Sequence, residues 1–260
     1  MAERPHSQPI PLSEALTVID RVDPVAPREV ELSDALGLAL AADAGAAGTL
    51  RLSGARLRRI DLALLTSQGV ARLSVRAPRL LVLHNAADAS VAALIGGAIA
   101  AEGGFAHIAE TTPQTPQLVH DAVIGIGIGP ELAAPEFAGV SLKPGGTIAF
   151  GYAAGRPTLI LPAGIDAFAG WLAVGRRLLS RLAFRLIEEQ PFLLELARPI
   201  ASTRGVAEIV PVRRRAAQVE PIVGDAWSPQ SLARADGWIL VPAESDGLAA
   251  GSRVQMRPWL

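Results

Sequence analysis

The hydrophobic positions in the middle of the chain form short continuous runs separated by a helical pattern. Three runs have the length and apolar character of strands in a parallel sheet: RLLVLHN (79–85), FAHIAE (105–110) and DAVIGIGIG (121–129). Between the first two, DASVAALIGGAIAAEGG (88–104) predicts a helix that Asp88 can cap and Gly103 can end. This order of strand, helix and strand predicts an α/β layer with a mainly parallel sheet.

The next segment continues the same architecture. Further strands are predicted at Gly139–Leu142, Thr147–Tyr152 and Pro157–Leu161. A long helix is predicted from Ala167 to Glu189, and Pro191 is expected to close it. One face of that helix is apolar, with Trp171, Val174, Leu178, Leu182 and Leu186.

The flanking segments have a different texture. Helical spacing predicts one helix in PLSEALTVIDRV (11–22) and a second in ELSDALGLALAADA (31–44), with the extended linker DPVAPREV (23–30) between them. After Pro191, short segments with frequent turn signals predict a small all-β module. We therefore expect a helical N-terminal arm and linker over 1–75, an α/β domain over 76–190 and a β domain over 191–260.

Composition excludes several classes of protein. The longest apolar run, VAALIGGAIAA (91–101), is about half of the roughly 20 residues that a membrane helix needs. The N-terminus has charge and proline where a signal peptide has an apolar core, so a cytoplasmic location is expected. The chain has no cysteine, and 24 basic residues balance 25 acidic ones, so neither a thiolate site nor nucleic-acid binding is expected. The arginine run 213–215 is interpreted as a solvated strand end or turn.

Candidate chemistry lies at the strand ends, where open parallel sheets usually bind ligands. Asp88 follows the first strand, either as a helix N-cap or as an acidic group facing a cleft. The stretch DAVIGIGIGPE contributes Asp121, Gly127, Gly129 and Glu131. Its glycines allow either the close approach of a ligand or close packing of the backbone on a neighbouring element. It matches neither the dinucleotide fingerprint nor a P-loop.

Two further stretches could bind an anion. SLKPGG contains the single lysine of the chain, Lys143, before a turn formed by Pro144 and Gly145. A lysine is a compact point charge that suits an oxyanion, although chance retention of one lysine is an alternative explanation. In LPAGIDA, Pro162 and Gly164 precede the long helix, whose N-terminus could bind an anion. The four histidines have no metal-ligand spacing.

The ordered set of motifs resembles the molybdopterin molybdotransferase family, the molybdate-insertion enzymes that include the gephyrin E domain. Four stretches carry the resemblance: residues 12–44 with the L-G-x-x-L-A-x-D pattern, residues 54–83, VSLKPGGTIAFG followed by LPAGIDA, and residues 231–260. The resemblance implies a three-layer molybdopterin-binding-type α/β domain, an N-terminal arm and a small C-terminal β-barrel domain. It also implies a homodimer that binds molybdopterin or adenylated molybdopterin and, if active, uses Mg²⁺ and molybdate.

Several family motifs are altered. Only AGAAGTLRLS (44–53) stands where the family has its lid domain, so the lid is predicted to be deleted. Of the family's T-G-D-E-L motif only Asp88 keeps an acid, which the resemblance makes a catalytic and metal-binding candidate. Glu131 is the acid left in the stretch that replaces G-G-x-S-x-G-D. Gly146 and Thr147 replace the second Lys and the Pro of K-P-G-K-P.

These alterations leave three hypotheses. In the first, the protein is a degenerate family member that binds molybdopterin or its cofactor, or acts as a scaffold for the true insertase or a molybdoenzyme subunit. In the second, it is a working molybdotransferase in which Asp88, Glu131, Asp121 and Lys143 suffice. In the third, it is a structural dimerisation module. Whether the chain is an enzyme is left open at this point.

Overall fold

A computed structural model describes residues 8–45, 53–110, 119–185, 191–222 and 227–259. The N-terminal part begins with helix α1 (Leu12–Ile19), whose buried residues Leu12, Ala15 and Ile19 follow the predicted helical spacing. A small antiparallel sheet of order β1-β3-β2 follows, with helix α2 beside it. Its elements are β1 (Arg28–Glu31), β2 (Ala39–Leu40), α2 (Arg59–Ser67) and β3 (Arg72–Arg76).

The prediction of a helix over 31–44 is wrong. A single 3₁₀ turn, Leu32–Asp34, is followed by a bend and then by β2. Gly37 has φ +80°, which takes the chain out of the helical region, and Leu36 is 47% exposed. Leu32 and Leu40 nevertheless share a core with Leu65 of α2, so their apolar spacing is satisfied by a turn and a strand.

The central sheet has six strands in the order β5-β4-β6-β10-β9-β7. Its strands are β4 (Arg79–His84), β5 (Phe105–Glu110), β6 (Ala122–Ile126), β7 (Phe137–Ala138), β9 (Ala149–Ala153) and β10 (Arg156–Leu161). Strands β5, β4, β6 and β10 are parallel, whereas β9 and β7 add an antiparallel edge. The predicted, mainly parallel sheet is confirmed.

Two helical segments complete this layer. Helix α3 (Ala89–Ala101) connects β4 to β5, and Gly103 follows its end with φ +83°, as predicted. The long helix consists of α4 (Asp166–Gly170), a π-helical turn (Trp171–Gly175) and α5 (Arg176–Leu182). None of the helices in the described ranges has the length and apolar character needed to cross a membrane.

The long helix ends earlier than predicted. After Leu182, Phe184 adopts φ +48° and its N–H donates to the carbonyl of Arg181, while the N–H of Arg185 donates to that of Ser180. These two bonds form a Schellman-type end in which Phe184 takes the place usually held by glycine. The remaining predicted helix, with Leu186, lies outside the described residues.

The C-terminal region is a closed five-stranded barrel of order β14-β11-β17-β15-β13, which closes because β13 also pairs with β14. Its strands are β11 (Phe192–Leu196), β13 (Ala207–Arg215), β14 (Gln218–Pro221), β15 (Gly237–Val241) and β17 (Arg253–Pro258). The barrel is accompanied by an antiparallel pair of short strands, β12 (Ile200–Ala201) and β16 (Gly247–Leu248), and by helix α6 (Pro229–Arg234). The predicted combination of an α/β fold with a C-terminal barrel is confirmed.

One short strand links the two parts. Strand β8 (Leu142–Lys143) lies in the α/β part of the sequence, but it pairs with the barrel strand β13. Phe168 of α4 contacts Trp227 and Trp259 of the C-terminal region, with ring centroids 6.4 and 5.9 Å away. These contacts place the lysine-containing turn beside both the start of α4 and the barrel.

Candidate functional site

Strands β4, β6 and β10 end at the same edge of the central sheet. His84 and Leu161 are both in register with Ile126, the last residue of β6. The segments after these residues therefore meet, and they contain Asp88, Gly127, Pro162 and Gly164. The structure thus brings four of the predicted site residues together at the edge where ligands of parallel sheets usually bind.

Asp88 connects two of these segments. Its side chain is 4% exposed, and its Oδ1 accepts a hydrogen bond of 2.7 Å from the backbone N–H of Gly164. It makes no capping hydrogen bond to α3, and Asn85 instead accepts from the N–H of Asp88 at 3.1 Å. Asp88 therefore stands at the N-cap position of α3, as predicted, but its side chain does not cap the helix. The carboxylate that meets the turn before α4 is the protein's own Asp88, at the position proposed for an external anion.

The alternating glycines are closely packed, Gly127 and Gly129 on neighbouring segments and Gly125 on the residues that follow it. A Cβ at Gly127, which has φ +63°, would lie 2.7 Å from the Cβ of Ala163. A Cβ at Gly129 would lie 3.0 Å from Ile160, and one at Gly125 would collide with the carbonyl oxygen of Ile128. Of the two interpretations of this stretch, close packing of backbone accounts for all three glycines.

The lysine-containing turn lies against the start of the long helix. A Cβ at Gly145, which has φ +107°, would meet the backbone of Asp166 and Gly170 at 3.6 and 3.5 Å. Pro144 stands between this buried glycine and Lys143, and the N–H of Val140 closes the turn on the carbonyl of Gly146 at 2.9 Å. The two predicted anion-binding stretches, SLKPGG and LPAGIDA, are therefore in contact.

Lys143 itself is directed to solvent and to the barrel. Its side chain is 69% exposed, and its Nζ lies 3.3 Å from Oε1 of Glu208 on β13. Glu208 is held in turn by the hydroxyl of Ser202, which donates to its Oε2 at 2.7 Å. The single ammonium group is thus accessible to an anion, but a carboxylate of the barrel already neutralises part of its charge.

Two acids of this region were missed by sequence reasoning. Glu208 lies in the alternating segment VAEIVPV, which predicts a strand but does not reveal that the strand borders Lys143. Asp166 lies in the quoted LPAGIDA stretch, in the first turn of α4, and burial raises the pKa of its carboxyl group above the ordinary value. Its position after Gly164 was the available signal.

Two further predicted acids flank β6, one before it and one after it. Asp121 precedes β6, and its Oδ2 accepts from the N–H of Arg79 at 2.7 Å, at the opposite edge of the sheet from Gly127. The five residues of β6 span about 16 Å at roughly 3.3 Å per residue. Glu131 is exposed in the segment between β6 and β7. Asp121 is therefore not brought together with Asp88.

The resemblance implies Mg²⁺, and the donor set can be compared with what this ion needs. Mg²⁺ is bound through carboxylates and phosphate oxygens in octahedral geometry. Asp88 is buried and its Oδ1 is engaged with Gly164, while Asp121 lies at the other edge of the sheet. Within the described ranges no group of three His, Cys, Asp or Glu side chains could hold a metal ion. The described residues of this chain do not fit a self-contained Mg²⁺ site.

Comparisons with known proteins agree with this architecture. Residues 194–259 match the family model of the MoeA C-terminal region (domain IV). A solved structure of a molybdenum cofactor biosynthesis protein from Pyrococcus furiosus superposes with a TM-score of 0.80 at 21% identity, over 96% of this chain and 100% of that chain. The structure of a molybdopterin biosynthesis moeA protein from Pyrococcus horikoshii OT3 gives a TM-score of 0.79 at 14% identity, over 96% of this chain and 100% of that chain.

The chain has the MoeA fold. A further moeA structure, from Pyrococcus horikosii, gives a TM-score of 0.77 at 16% identity, over 97% of this chain and 100% of that chain. No curated protein matches the sequence. The resemblance that the four motif stretches indicated is thus confirmed for the fold and for the C-terminal region.

Within this MoeA fold, the connection at the predicted lid position is short and its ends are tied together. The carboxylate of Asp43 accepts from the N–H of Ser53 at 2.8 Å, and the hydroxyl of Ser53 donates to the carbonyl of Ala41 at 3.0 Å. The N–H of Gly54 donates to the carbonyl of Leu40 at 2.8 Å. The sequence provides only residues 44–52 between these ends, far fewer than the roughly 40 that an independent domain needs.

Proposed function

We propose that the protein acts in molybdenum cofactor biosynthesis as a degenerate MoeA-like protein that binds molybdopterin or adenylated molybdopterin, or scaffolds molybdate insertion by another protein. The proposal is supported by the names of the structural neighbours and by the MoeA-type C-terminal region. The observation that carries it is the state of the charged groups. Asp88, Asp121 and Lys143 are each already engaged by a partner within the chain.

This engagement argues against independent catalysis. Hydrolysis of a phosphoanhydride needs cations or metal-bound carboxylates that are positioned on the reacting phosphate, in a site that excludes water. Lys143 is open to solvent and shares its charge with Glu208, and Asp88 is directed to Gly164. Loss of one such electrostatic contact typically lowers the rate by about a hundredfold. Catalysis by this chain alone would lack several of them.

Ligand binding makes fewer demands. An oxyanion needs an accessible cation, and Lys143 presents one in a turn that lies beside the start of α4. Binding there would replace Glu208 as the partner of the ammonium group. We further propose that the protein works in the cytoplasm as a homodimer, with the true insertase or a molybdoenzyme subunit as its partner.

A binding measurement tests the first part of the proposal. Molybdopterin should bind the full chain, and Lys143→Ala should weaken the affinity at least tenfold. Arg72→Ala is a matched control, because Arg72 is 59% exposed and lies 3.4 Å from a single acid, Glu31, much as Lys143 lies 3.3 Å from Glu208. If molybdopterin does not bind, or if both variants behave alike, the binding role is wrong and a structural dimerisation module becomes the better explanation.

Complementation tests the second part. Cells that lack their own molybdate-insertion enzyme should not regain molybdoenzyme activity when they express this chain alone. Recovery of activity would instead identify a working molybdotransferase, and the loss of that recovery in Asp88→Asn would assign the reaction to the strand-end site. Asparagine keeps an acceptor for the N–H of Gly164, so the comparison removes the charge and preserves the hydrogen bond.

A further inference from the structure

A large groove lies away from the strand-end site, between α1, the N-terminal sheet module, the end of α3, α5 and the barrel. Its volume is about 1030 Å³, slightly above the roughly 300–1,000 Å³ of small-molecule sites. Six arginines are among its described lining residues, and we name it the arginine groove: Arg56, Arg58, Arg176, Arg177, Arg185 and Arg257.

The arginine groove has a local excess of positive charge. Among the described residues that line it, the acids are Asp20 and Glu102, and outside the lining Asp61 lies 3.2 Å from Arg58. Asp20 is paired with Arg177, whose Nε lies 2.5 Å from Oδ1 and whose Nη2 lies 2.8 Å from Oδ2. Glu102, which is 6% exposed, accepts from Arg176 at 2.6 Å and from Arg185 at 2.8 Å. One buried carboxylate therefore serves two guanidinium groups, and a third is nearby.

That third group is Arg56, which reaches the same end of α3. Its Nη2 donates to the carbonyl of Ala101, and its Nε donates to the carbonyl of Gly37 at 3.3 Å. Although Arg56 is open to the groove, partial burial lowers the pKa of its guanidinium group, and the charge of Arg185 lowers it further. The C-terminal dipole of α3 offsets only about half a charge, so the cationic excess persists.

Part of the groove lining is apolar. Leu12, Leu16, Leu172, Leu240 and Trp238 line it. The guanidinium of Arg257 stacks over the ring of Trp238, 4.9 Å from its centroid. A concave surface with an apolar wall and a few convergent charged groups is the usual composition of a small-molecule site. It suits a ligand with an anionic head and an apolar or aromatic body.

We propose that the arginine groove binds a small ligand that carries an oxyanion, of the phosphate or carboxylate type, on an apolar body. This site goes beyond the proposed function, because it lies at the other end of α3 from Asp88. The 13 residues of α3 separate the two by about 20 Å. Guanidinium groups bind such oxyanions through paired N–H donors.

Titration calorimetry of the full chain with phenyl phosphate at low salt tests the proposal, with inorganic phosphate as the probe for the anionic head alone. Phenyl phosphate should bind in the millimolar range or tighter, and inorganic phosphate should bind more weakly because it lacks the apolar body. Arg56→Gln should weaken the affinity for phenyl phosphate at least fivefold. Arg253→Gln, which removes an exposed arginine from β17 outside the groove, should leave the affinity unchanged.

Glu102→Gln provides a test of opposite sign. It removes the carboxylate that competes for Arg176 and Arg185, so phenyl phosphate should bind more tightly and raise the melting temperature more than in the unaltered protein. If Glu102→Gln does not fold, the affinity of Arg56→Gln for phenyl phosphate alone tests the proposal. The proposal is overturned if phenyl phosphate does not bind, if Arg56→Gln binds like Arg253→Gln, or if light scattering shows a dimer that Arg56→Gln dissociates. The last result would make a second copy the occupant of the groove.

Discussion

At the residue scale, the cluster at the ends of β4, β6 and β10 needs glycine where the backbone passes close to another segment. Gly127 combines a left-handed conformation, φ +63°, with direct packing on Ala163. The same cluster holds the buried carboxylate of Asp88, whose Oδ2 would lie 3.3 Å from a Cβ at Gly127. A side chain at Gly127 would therefore disturb both the turn before α4 and the acid that anchors it.

Gly127→Ala should lower the free energy of unfolding by about 2–4 kcal/mol, which combines the cost of a left-handed alanine with that of overpacking. Gly155→Ala is the matched control, because Gly155 has φ +75° and a Cβ added there would meet no atom within 4 Å. Gly155→Ala should lower the free energy of unfolding by only about 1–2 kcal/mol. Urea unfolding followed by circular dichroism measures both. Equal losses would mean that the contact with Ala163 adjusts without cost.

At the element scale, α1 is fixed to α5 by the ion pair of Asp20 and Arg177. Asp20 follows α1, and both of its carboxylate oxygens accept from the same guanidinium group. The hydrogen bond from Arg177 lowers the pKa of Asp20, while burial opposes it. Because the folded-state pKa is lowered, this contribution to stability is present above the unfolded pKa of about 3.9 and is lost as the pH falls through the folded value.

Asp20→Asn should therefore cost at most about 1 kcal/mol at pH 7, since the pair is partly exposed to solvent. Below about pH 4 the difference from the unaltered protein should shrink, because both then lack the charged pair. Glu14→Gln removes the same charge from an exposed position in the first turn of α1 and serves as the control. Urea unfolding between pH 2.5 and pH 7 gives the comparison. A pH-independent difference would contradict the assigned role of the ion pair.

The elements also show which parts of the fold the sequence could predict. Continuous apolar runs identified β4 and β6 because buried parallel strands need apolar residues on both faces. Strand β5 was also predicted, although it lies at the edge of the sheet with Phe105 and Ile108 exposed. The leucines spaced by four residues wrongly predicted a helix over 31–44, because a turn at Gly37 lets Leu32 and Leu40 share a core without a helix.

In the candidate site, the sequence could predict the positions only of residues that directly precede or follow a strand. Asp88 and Gly127 follow strands β4 and β6, so their meeting at one edge could be inferred from sequence order. Asp121 precedes β6, and the same argument places it at the opposite edge. Pairings across the fold, such as Lys143 with Glu208 or Arg185 with Glu102, depend on how separate elements pack. No local pattern encodes them.

At the scale of the whole molecule, the central sheet and the barrel are joined by a small aromatic cluster. Phe168 of α4, 3% exposed, contacts both Trp227 and Trp259, and the indole N–H of Trp227 donates to the carbonyl of Ile209 in β13 at 3.0 Å. Strand β8 adds two residue pairs to β13 at the same junction. Since Phe168 belongs to the main core as well, the two parts should unfold together.

Scanning calorimetry should accordingly show one unfolding transition for the unaltered protein. Phe168→Ala should lower the free energy of unfolding by about 3–5 kcal/mol. It should also uncouple unfolding of the barrel from unfolding of the central sheet, which would give two resolved transitions. Phe137→Ala is the control, because Phe137 is 4% exposed and packs on Phe150 within the central sheet. It should lower stability by a similar amount and preserve a single transition, since it leaves the junction intact. A single transition in Phe168→Ala would show that β8 and the remaining contacts suffice to couple the two parts.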